Sequence, residues 1–339
     1  MIRVGIIGLG YWGPNLLRNF STLDDCRVAM CCDTNPARLK TIARNVNDLR
    51  TTTSADDVID NSGIDLVVIA TPPHTHFELA RRSLEAGKHV FVEKPLTTRV
   101  DQAEELTVLS ERLGRVLMVD HTFIYHPAIE KIRDILRRGE LGEPCYYDST
   151  RINLGLFQQD TSVLWDLAPH DVSIMEHLIA RPIQWVQCTG ARHAGAAVES
   201  MAYVTIQFAD NILGHLHVNW LSPVKTRQII LGGTRRMLVY DDNLVTEKVK
   251  VYDRGIEVRS VTGVHQAMLQ YRTGDMVAPA ISNDEALRRA VQHLLYSIRE
   301  GQQPLTDGNA GLRVVQILCA AEKSLRSGHR AFIESEALA

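Results

Sequence analysis

The sequence predicts an α/β fold in two parts: a doubly wound parallel sheet over about the first 120 residues, then a second region built around an antiparallel sheet. Three observations predict it. Short Val- and Ile-rich runs alternate with helical patterns, as strands buried on both faces require. A glycine pattern joins the first run to the first helix. Beyond residue 125, extended segments follow one another through short turns, as in an antiparallel sheet.

In chain order, residues 2–7 are an apolar run, and 11–22 begin a helical spacing of Trp12, Leu16, Phe20 and Leu23. The alternation continues as strand 27–32, helices 36–45 and 55–61, strand 65–70, helix 75–86, strand 89–92, helix 100–113 and strand 116–119. A helix at 128–138 leads through a Gly-Glu-Leu-Gly turn at 139–142 to a long strand at 144–153 and a helix near 171–179. Extended segments are expected at 183–192, 200–208, 212–220, 226–232, 235–241 and 245–252, with turns at 209–211 and 232–234, then helices at 284–300 and 310–327. No repeat or linker marks a boundary. The change of pattern alone puts a first domain at 1–122 and a second at 123–339, with the C-terminal helices free to pack back on the first.

Of 339 residues, 45% are hydrophobic and 23% charged, which excludes disordered, collagen-like and disulfide-scaffold classes. Lys and Arg number 37 against 40 Asp and Glu, a net charge of −3 with no polybasic run, so nucleic acid is not an expected partner. Six scattered cysteines (Cys26, Cys31, Cys32, Cys145, Cys188, Cys319) form no C-x-x-C pair and read as small core residues of a reduced, cytoplasmic protein. No apolar run has the length of a membrane span, and the opening run continues into the glycine pattern, unlike a processed signal.

Gly8-Leu-Gly10-Tyr11-Trp12-Gly13 matches G-x-G-x-x-G between strand and helix. The first glycine permits a tight turn, the second lets the backbone approach a pyrophosphate, and the third lets helix and strand pack closely. Asp33 lies 20 residues beyond Gly13, at the end of the second apolar strand. A carboxylate there can accept both ribose hydroxyls and repel a 2′-phosphate, which favours NAD over NADP. Its alternative role is to cap the turn at 35–36, and Arg38 is a nearby cation that accommodates a 2′-phosphate.

Two further stretches are more specific. Thr71-Pro72-Pro-His-Thr-His76 follows the fourth strand, and Ala86-Gly-Lys-His-Val-Phe-Val-Glu93-Lys94-Pro95 spans the fifth. Together they resemble the glucose–fructose oxidoreductase / inositol dehydrogenase / rhizopine-catabolism (Gfo/Idh/MocA) family of NAD(P)-dependent oxidoreductases. The resemblance implies a Rossmann domain followed by an α/β domain with a large, mostly antiparallel open sheet, whose outer face joins copies as a homodimer or homotetramer. It also implies that the loop of Thr71, Pro72 and His76 runs along the cofactor and that Lys94, with Glu93 before it, lies beside the nicotinamide. From position alone, Lys94 ends a strand on the carboxyl edge, where it is either a solvated charge or one aimed at a ligand. A metal at His74 and His76 is not expected, since no third ligand has suitable spacing.

The segment Ser162-Val-Leu-Trp165-Asp166-Leu-Ala-Pro-His170 resembles the family's G-G-x-x-x-D-x-G-x-H segment. Asp166 and His170 are retained, while Ser162, Val163 and Ala168 replace glycines. Pro169 is a natural first-turn residue, so Asp166 is expected just before a helix and His170 in its first turn. An Asp–His pair at that spacing either serves a substrate hydroxyl or caps a helix beside a satisfied histidine. The resemblance implies hydride transfer between NAD and a ring secondary alcohol, with Lys94 and His170 as acid/base groups in interchangeable roles and Asp166 assisting. Tyr125, His126 and Trp165 are further substrate-contact candidates, each with packing as the alternative. Arg151, Arg192 and Arg227 are candidates for a diphosphate. The expected substrate is a sugar or nucleotide sugar, then a cyclitol; an NAD-dependent glycosidase and a non-catalytic dinucleotide-binding regulator are the rivals of other classes. The site is expected where the two domains meet.

Overall fold

The computed structural model describes residues 1–43, 49–155, 157–158, 161–260 and 267–333. The chain divides into two units, Met1–His126 with Asp284–Cys319, and Pro127–Asn283 with Ala320–Ala339. The first begins with β1 (Ile2–Ile7), α1 (Gly13–Ser21), β2 (Cys26–Cys32), α2 (Pro36–Ala43), β3 (Arg50–Thr52), α3 (Asp56–Ile59) and β4 (Leu66–Ile69). It continues through α4 (His76–Glu85), β5 (His89–Val92), α5 (Val100–Arg112) and β6 (Leu117–Val119). Residues 44 and 45, expected to end the second helix, lie outside the described residues. The strands form a wholly parallel sheet in the order β3-β2-β1-β4-β5-β6. The order reverses between β1 and β4, so the loops after these strands flank the switch point where ligands of such sheets bind. The short β3 is Arg-Thr-Thr with no buried side chain, which is why no apolar run announces it.

The second unit comprises α6 (Pro127–Arg137), β7 (Pro144–Leu154), α7 (Val163–Leu178), β8 (Ile183–Ala191), β9 (Met201–Phe208), β10 (Leu213–Asn219), β11 (Leu221–Gly233), β12 (Met237–Asp241), β13 (Val249–Ser260) and β14 (Ala267–Val277). With β15 (Ala331–Phe332), the strands form one sheet in the order β14-β13-β12-β11-β7-β10-β9-β8-β15. Among the described residues only the β10–β7 pairing of this sheet is parallel, so the sheet is mostly antiparallel as expected. Pro223 is tolerated inside β11 because the pairing with β7 is irregular between Leu221 and Thr226. β14 escapes the sequence pattern because it is a sheet edge, and residues 271–277 are nearly all exposed.

α7 corrects an expectation. It begins at Val163, not near 171, and Pro169 stands inside it. Ser162 is extended and its carbonyl accepts the Asp166 N–H at 3.0 Å, so the helix is under way before the proline. Pro169 forfeits one backbone hydrogen bond. Arg151 on β7 and Asp171 on α7 form a buried bidentate pair at 2.6 and 3.2 Å.

α8 (Ala286–Glu300) belongs to the first unit, where Leu287, Ala290, Val291, Leu294 and Leu295 join the core around Leu16, Phe20 and Phe91. The segment after it pairs with β6: Thr306 receives the Val119 N–H through its carbonyl and donates its hydroxyl to the Val119 carbonyl, covering that sheet edge. α9 (Gly308–Ser327) follows, with residues to Cys319 in the first unit and from Ala320 in the second. Among the described residues no helix is long and apolar enough to cross a membrane.

Removing Asp171 leaves the Arg151 guanidinium buried without its main counter-charge, so Asp171→Ala should cost about 3–5 kcal/mol in chemical denaturation. An Arg151→Met, Asp171→Leu double variant should recover most of that loss. A loss under about 1 kcal/mol for Asp171→Ala would refute the burial argument.

Candidate active site

The glycine loop is shaped by backbone crowding. Gly8 has φ +98°, and a Cβ there would lie 2.4 Å from the Ala70 carbonyl oxygen, while one on Gly13 would lie 2.2 Å from the Gly8 carbonyl oxygen. Gly10 differs: its nearest atom would be Arg38 Nη1 at 3.9 Å, so the space beside it is open. No side chain caps α1. The open face at Gly10 and the uncapped N–H groups of α1 fit a pyrophosphate. Tyr11 is almost fully exposed beside them.

Asp33 braces this loop. Its Oδ2 accepts the Leu9 N–H at 2.7 Å, its Oδ1 accepts the Asn35 N–H at 2.8 Å, and Arg38 approaches at 3.4 Å. The turn-capping alternative is therefore present in the structure. Oδ2 is taken up by the Leu9 N–H and the Arg38 guanidinium, whereas Oδ1 keeps a second lone pair with which a ribose hydroxyl can be accepted. Trp12 turns its indole N–H to Asp120 Oδ2 at 3.2 Å, which links the loop to the end of β6.

The Thr71 loop differs from its expected form. The Thr71 and Thr75 hydroxyls are 2.6 Å apart, and Pro72 is extended before the turn that opens α4. His76, expected at the cofactor, is wholly buried, with Nδ1 2.8 Å from the Pro95 carbonyl and Nε2 2.8 Å from the Thr71 carbonyl. It holds two loops together and has no surface for a ligand. Burial lowers its pKa, and the two carbonyl contacts oppose that shift. His74 is exposed, so the H-x-H pair does not converge, and among the described residues no His, Cys, Asp or Glu group is arranged for a metal.

Lys94 follows β5 and is joined to Pro95 by a cis peptide. Its ammonium acts electrostatically on Glu93, Asp120, His121 and His76. Burial first, then the Asp120 charge, raises the Glu93 carboxyl well above the usual range. His121 is buried with neither ring nitrogen hydrogen-bonded, and burial followed by the Lys94 charge lowers it to about 3. Asp120 and His121 were missed in the sequence. Their signal was available: Asp33, Glu93-Lys94 and Asp120-His121 all stand at carboxyl ends of parallel strands.

Tyr125 is also corrected. Its ring is buried in the core and its hydroxyl meets Thr306 at 3.3 Å and His293 at 3.1 Å, so packing takes the side chain expected at substrate.

In the second unit, Asp166 and His170 lie one turn apart on α7, which puts them on one helical face. Asp166 Oδ2 accepts the Trp220 indole N–H at 3.1 Å, a positioning contact no local pattern announces. Trp165 is buried against the core. The three arginines proposed for a diphosphate are engaged by carboxylates: Arg151 by Asp171, Arg192 by Glu199 at 2.9 Å and Arg227 by Asp242 at 3.4 Å.

Residues 2–121 match the family model described as "Oxidoreductase family, NAD-binding Rossmann fold", and residues 129–239 match the GFO/IDH/MocA C-terminal domain. The chain is 25% identical over 345 residues to the UDP-N-acetylglucosamine 3-dehydrogenase of Acidithiobacillus ferrooxidans, covering 98% of this chain and 99% of that one. It is 23% identical to the scyllo-inositol 2-dehydrogenase (NAD(+)) of Bacillus subtilis, covering 96% and 95%. Its fold is similar to that of the WlbA dehydrogenase from Bordetella pertussis, solved with NADH and UDP-GlcNAcA, with a TM-score of 0.82 at 18% identity over 99% of this chain and 98% of that one.

The two kinds of glycine should separate experimentally. Gly13→Ala forces a backbone clash and should lose about 1–3 kcal/mol of stability. Gly10→Ala should fold as the parent does and weaken NAD at least tenfold by calorimetric titration. Equal NAD affinity in Gly10→Ala and the parent would contradict the placement of the pyrophosphate.

Proposed function

Because the chain belongs to the GFO/IDH/MocA family of NAD-binding oxidoreductases, we propose that it transfers hydride between NAD and a ring secondary alcohol or ketone of a sugar or nucleotide sugar. It is an NAD-dependent oxidoreductase of the CH–OH dehydrogenase type. The observation that carries the finer reading is the Trp12–Asp120 hydrogen bond, which joins the glycine loop to the carboxyl cluster beside Lys94. A cation fixed next to a dinucleotide loop is suited to an oxygen that gains negative charge as hydride leaves its carbon.

When bound, the nicotinamide supplies the hydride acceptor or donor. Gly8, Gly10 and Gly13 shape its pyrophosphate site, Asp33 takes the ribose, and Thr71 and Pro72 line the loop that follows β4. Lys94 holds the reacting oxygen and lowers the cost of its charge. His170 takes the hydroxyl proton on its imidazole, and Asp166, fixed by Trp220, favours the imidazolium that results. Lys94 and His170 are both competent to move that proton. The dehydrogenase of a UDP-sugar aligned over nearly both whole chains favours a nucleotide sugar. The similarity to an inositol dehydrogenase supports a cyclitol as the second reading. Six free cysteines, four of them buried, support a reducing cytoplasmic setting.

Copies are inferred to meet through the sheet face opposite α7. Gly214 faces α7, since its Cβ would lie 3.1 Å from Met175 Sδ, so the neighbouring His215 and His217 face the other way. There Tyr203 stacks on His217 with centroids 4.4 Å apart and is substantially exposed.

Incubation with NAD and a panel of nucleotide sugars, free sugars and cyclitols should give net NADH with one class, followed by absorbance. Release of an aglycone without NADH would replace the dehydrogenase with a glycosidase. Lys94→Ala and His170→Ala should keep NAD affinity and lose kcat by orders of magnitude; unchanged turnover in either refutes its role. By light scattering, Tyr203→Asp should shift a multimer toward the 38.0 kDa chain. A parent protein already at that mass would overturn the interface.

A further inference from the structure

Asp33 and Arg38 divide the adenosine end of the dinucleotide site in a way that the glycine pattern does not disclose. Asp33 is buried, with 4% of its side chain exposed, and most of its hydrogen-bonding capacity is used inside the protein. Oδ2 takes the Leu9 N–H at 2.7 Å and Arg38 Nη1 at 3.4 Å, and Oδ1 takes the Asn35 N–H at 2.8 Å. Its own N–H is fixed to the Thr52 carbonyl at 3.2 Å. Of the roughly four acceptor positions on a carboxylate, one is left for a ribose hydroxyl. Arg38 is the opposite case. It stands on α2 with 52% of its side chain exposed, and its Nη1 also lies 3.9 Å from the position of a Cβ on Gly10. The guanidinium therefore spans the ground between the pyrophosphate face at Gly10 and the carboxylate of Asp33. Only Nη1 is in use: among the described residues, Nε and Nη2 meet no acceptor.

We propose that Arg38 is the specificity residue of the cofactor site: it bridges Asp33 to the 2′-phosphate of NADP, so that the site admits NADP as a second cofactor beside NAD. Asp33 is first a brace of the glycine loop, and one hydroxyl of NAD is its share of recognition. A guanidinium is a planar fork, and its edge of Nε–H and Nη2–H matches two oxygens of a phosphate. With Nη1 kept on Asp33, that free edge puts a positive charge between the two anions and offsets the repulsion that Asp33 alone would exert on a 2′-phosphate. In the NAD complex the same side chain stays on Asp33 and has no phosphate to meet. A half-exposed ion pair at 3.4 Å holds its partner weakly, so Arg38 is free to adjust between the two states.

The bridge rests on the dinucleotide reading of the glycine loop and is tested by binding, without turnover. The full chain is titrated by calorimetry with NAD, NADP and two fragments, 5′-ADP and 2′,5′-ADP, which isolate the adenosine end. The parent should bind NAD more tightly and NADP measurably. Arg38→Leu should weaken NADP about tenfold or more beyond any loss of NAD, and 2′,5′-ADP by the same margin beyond 5′-ADP. Asp33→Asn turns an amide N–H toward one of the backbone donors that Asp33 accepts, so it should lower the thermal unfolding midpoint of the ligand-free chain. Equal losses of NAD and NADP in Arg38→Leu overturn the assignment of specificity, and an unchanged midpoint in Asp33→Asn overturns the brace. A parent that binds NAD and gives no heat with NADP or 2′,5′-ADP overturns the bridge and leaves the dinucleotide site standing. A parent that binds none of the four removes the site itself, and the bridge with it.

Discussion

The glycine loop is held from both sides by buried carboxylates, and the first unit's chemistry depends on that clamp. Asp33 takes the Leu9 N–H and Asp120 takes the Trp12 indole N–H. Hydrogen bonds to charged acceptors out of water are among the strong ones in a protein. Loops otherwise sit at the mobile end of a structure, and a dinucleotide site needs backbone N–H groups that do not reorganise when the ligand arrives. Both anchors stand at ends of parallel strands, so the sheet fixes the loop through side chains as well as through chain continuity.

A comparable device operates in the second unit with a different donor. Trp220 holds Asp166 on α7, and the adjacent turn of that helix is fixed by Asp171 on Arg151. Asp166 and His170 are thus carried on a helix pinned at two successive positions. In both units an indole N–H meets a carboxylate, a pairing that presents a rigid, apolar wall beside a charge.

Much of this arrangement was legible in the sequence, and the boundary of legibility has a physical basis. Gly8, Gly13 and Lys94 were readable because their demands are local: a positive φ, a close backbone approach, a strand end. Asp120 and Trp220 were not, because their partners lie 108 and 54 residues away. His76 misled for the converse reason. Its motif was visible, but whether an imidazole faces a ligand or two carbonyls is decided by Pro95, on another loop. The α7 start was misplaced because proline is also compatible with a helix interior when only one bond is forfeited. β14 was hidden because an exposed edge strand carries no apolar alternation.

The return of α8 to the first unit has a consequence for how the chain acquires its structure. The layer over Leu16 and Phe20 is supplied by residues 287–295, and the β6 edge is covered by Thr306. A nascent chain emerges from its N-terminus, so the first six strands leave the ribosome with part of one apolar layer, over Leu16 and Phe20, uncovered and one edge unpaired. They stay so until the intervening 157 residues, Pro127–Asn283, have been made. At about 5–20 residues per second, that interval is about 10–30 seconds. The second unit is completed later still, because it takes Ala320–Ala339 and the edge strand β15, while the dinucleotide fold, though earliest in the sequence, waits for residues 284–319.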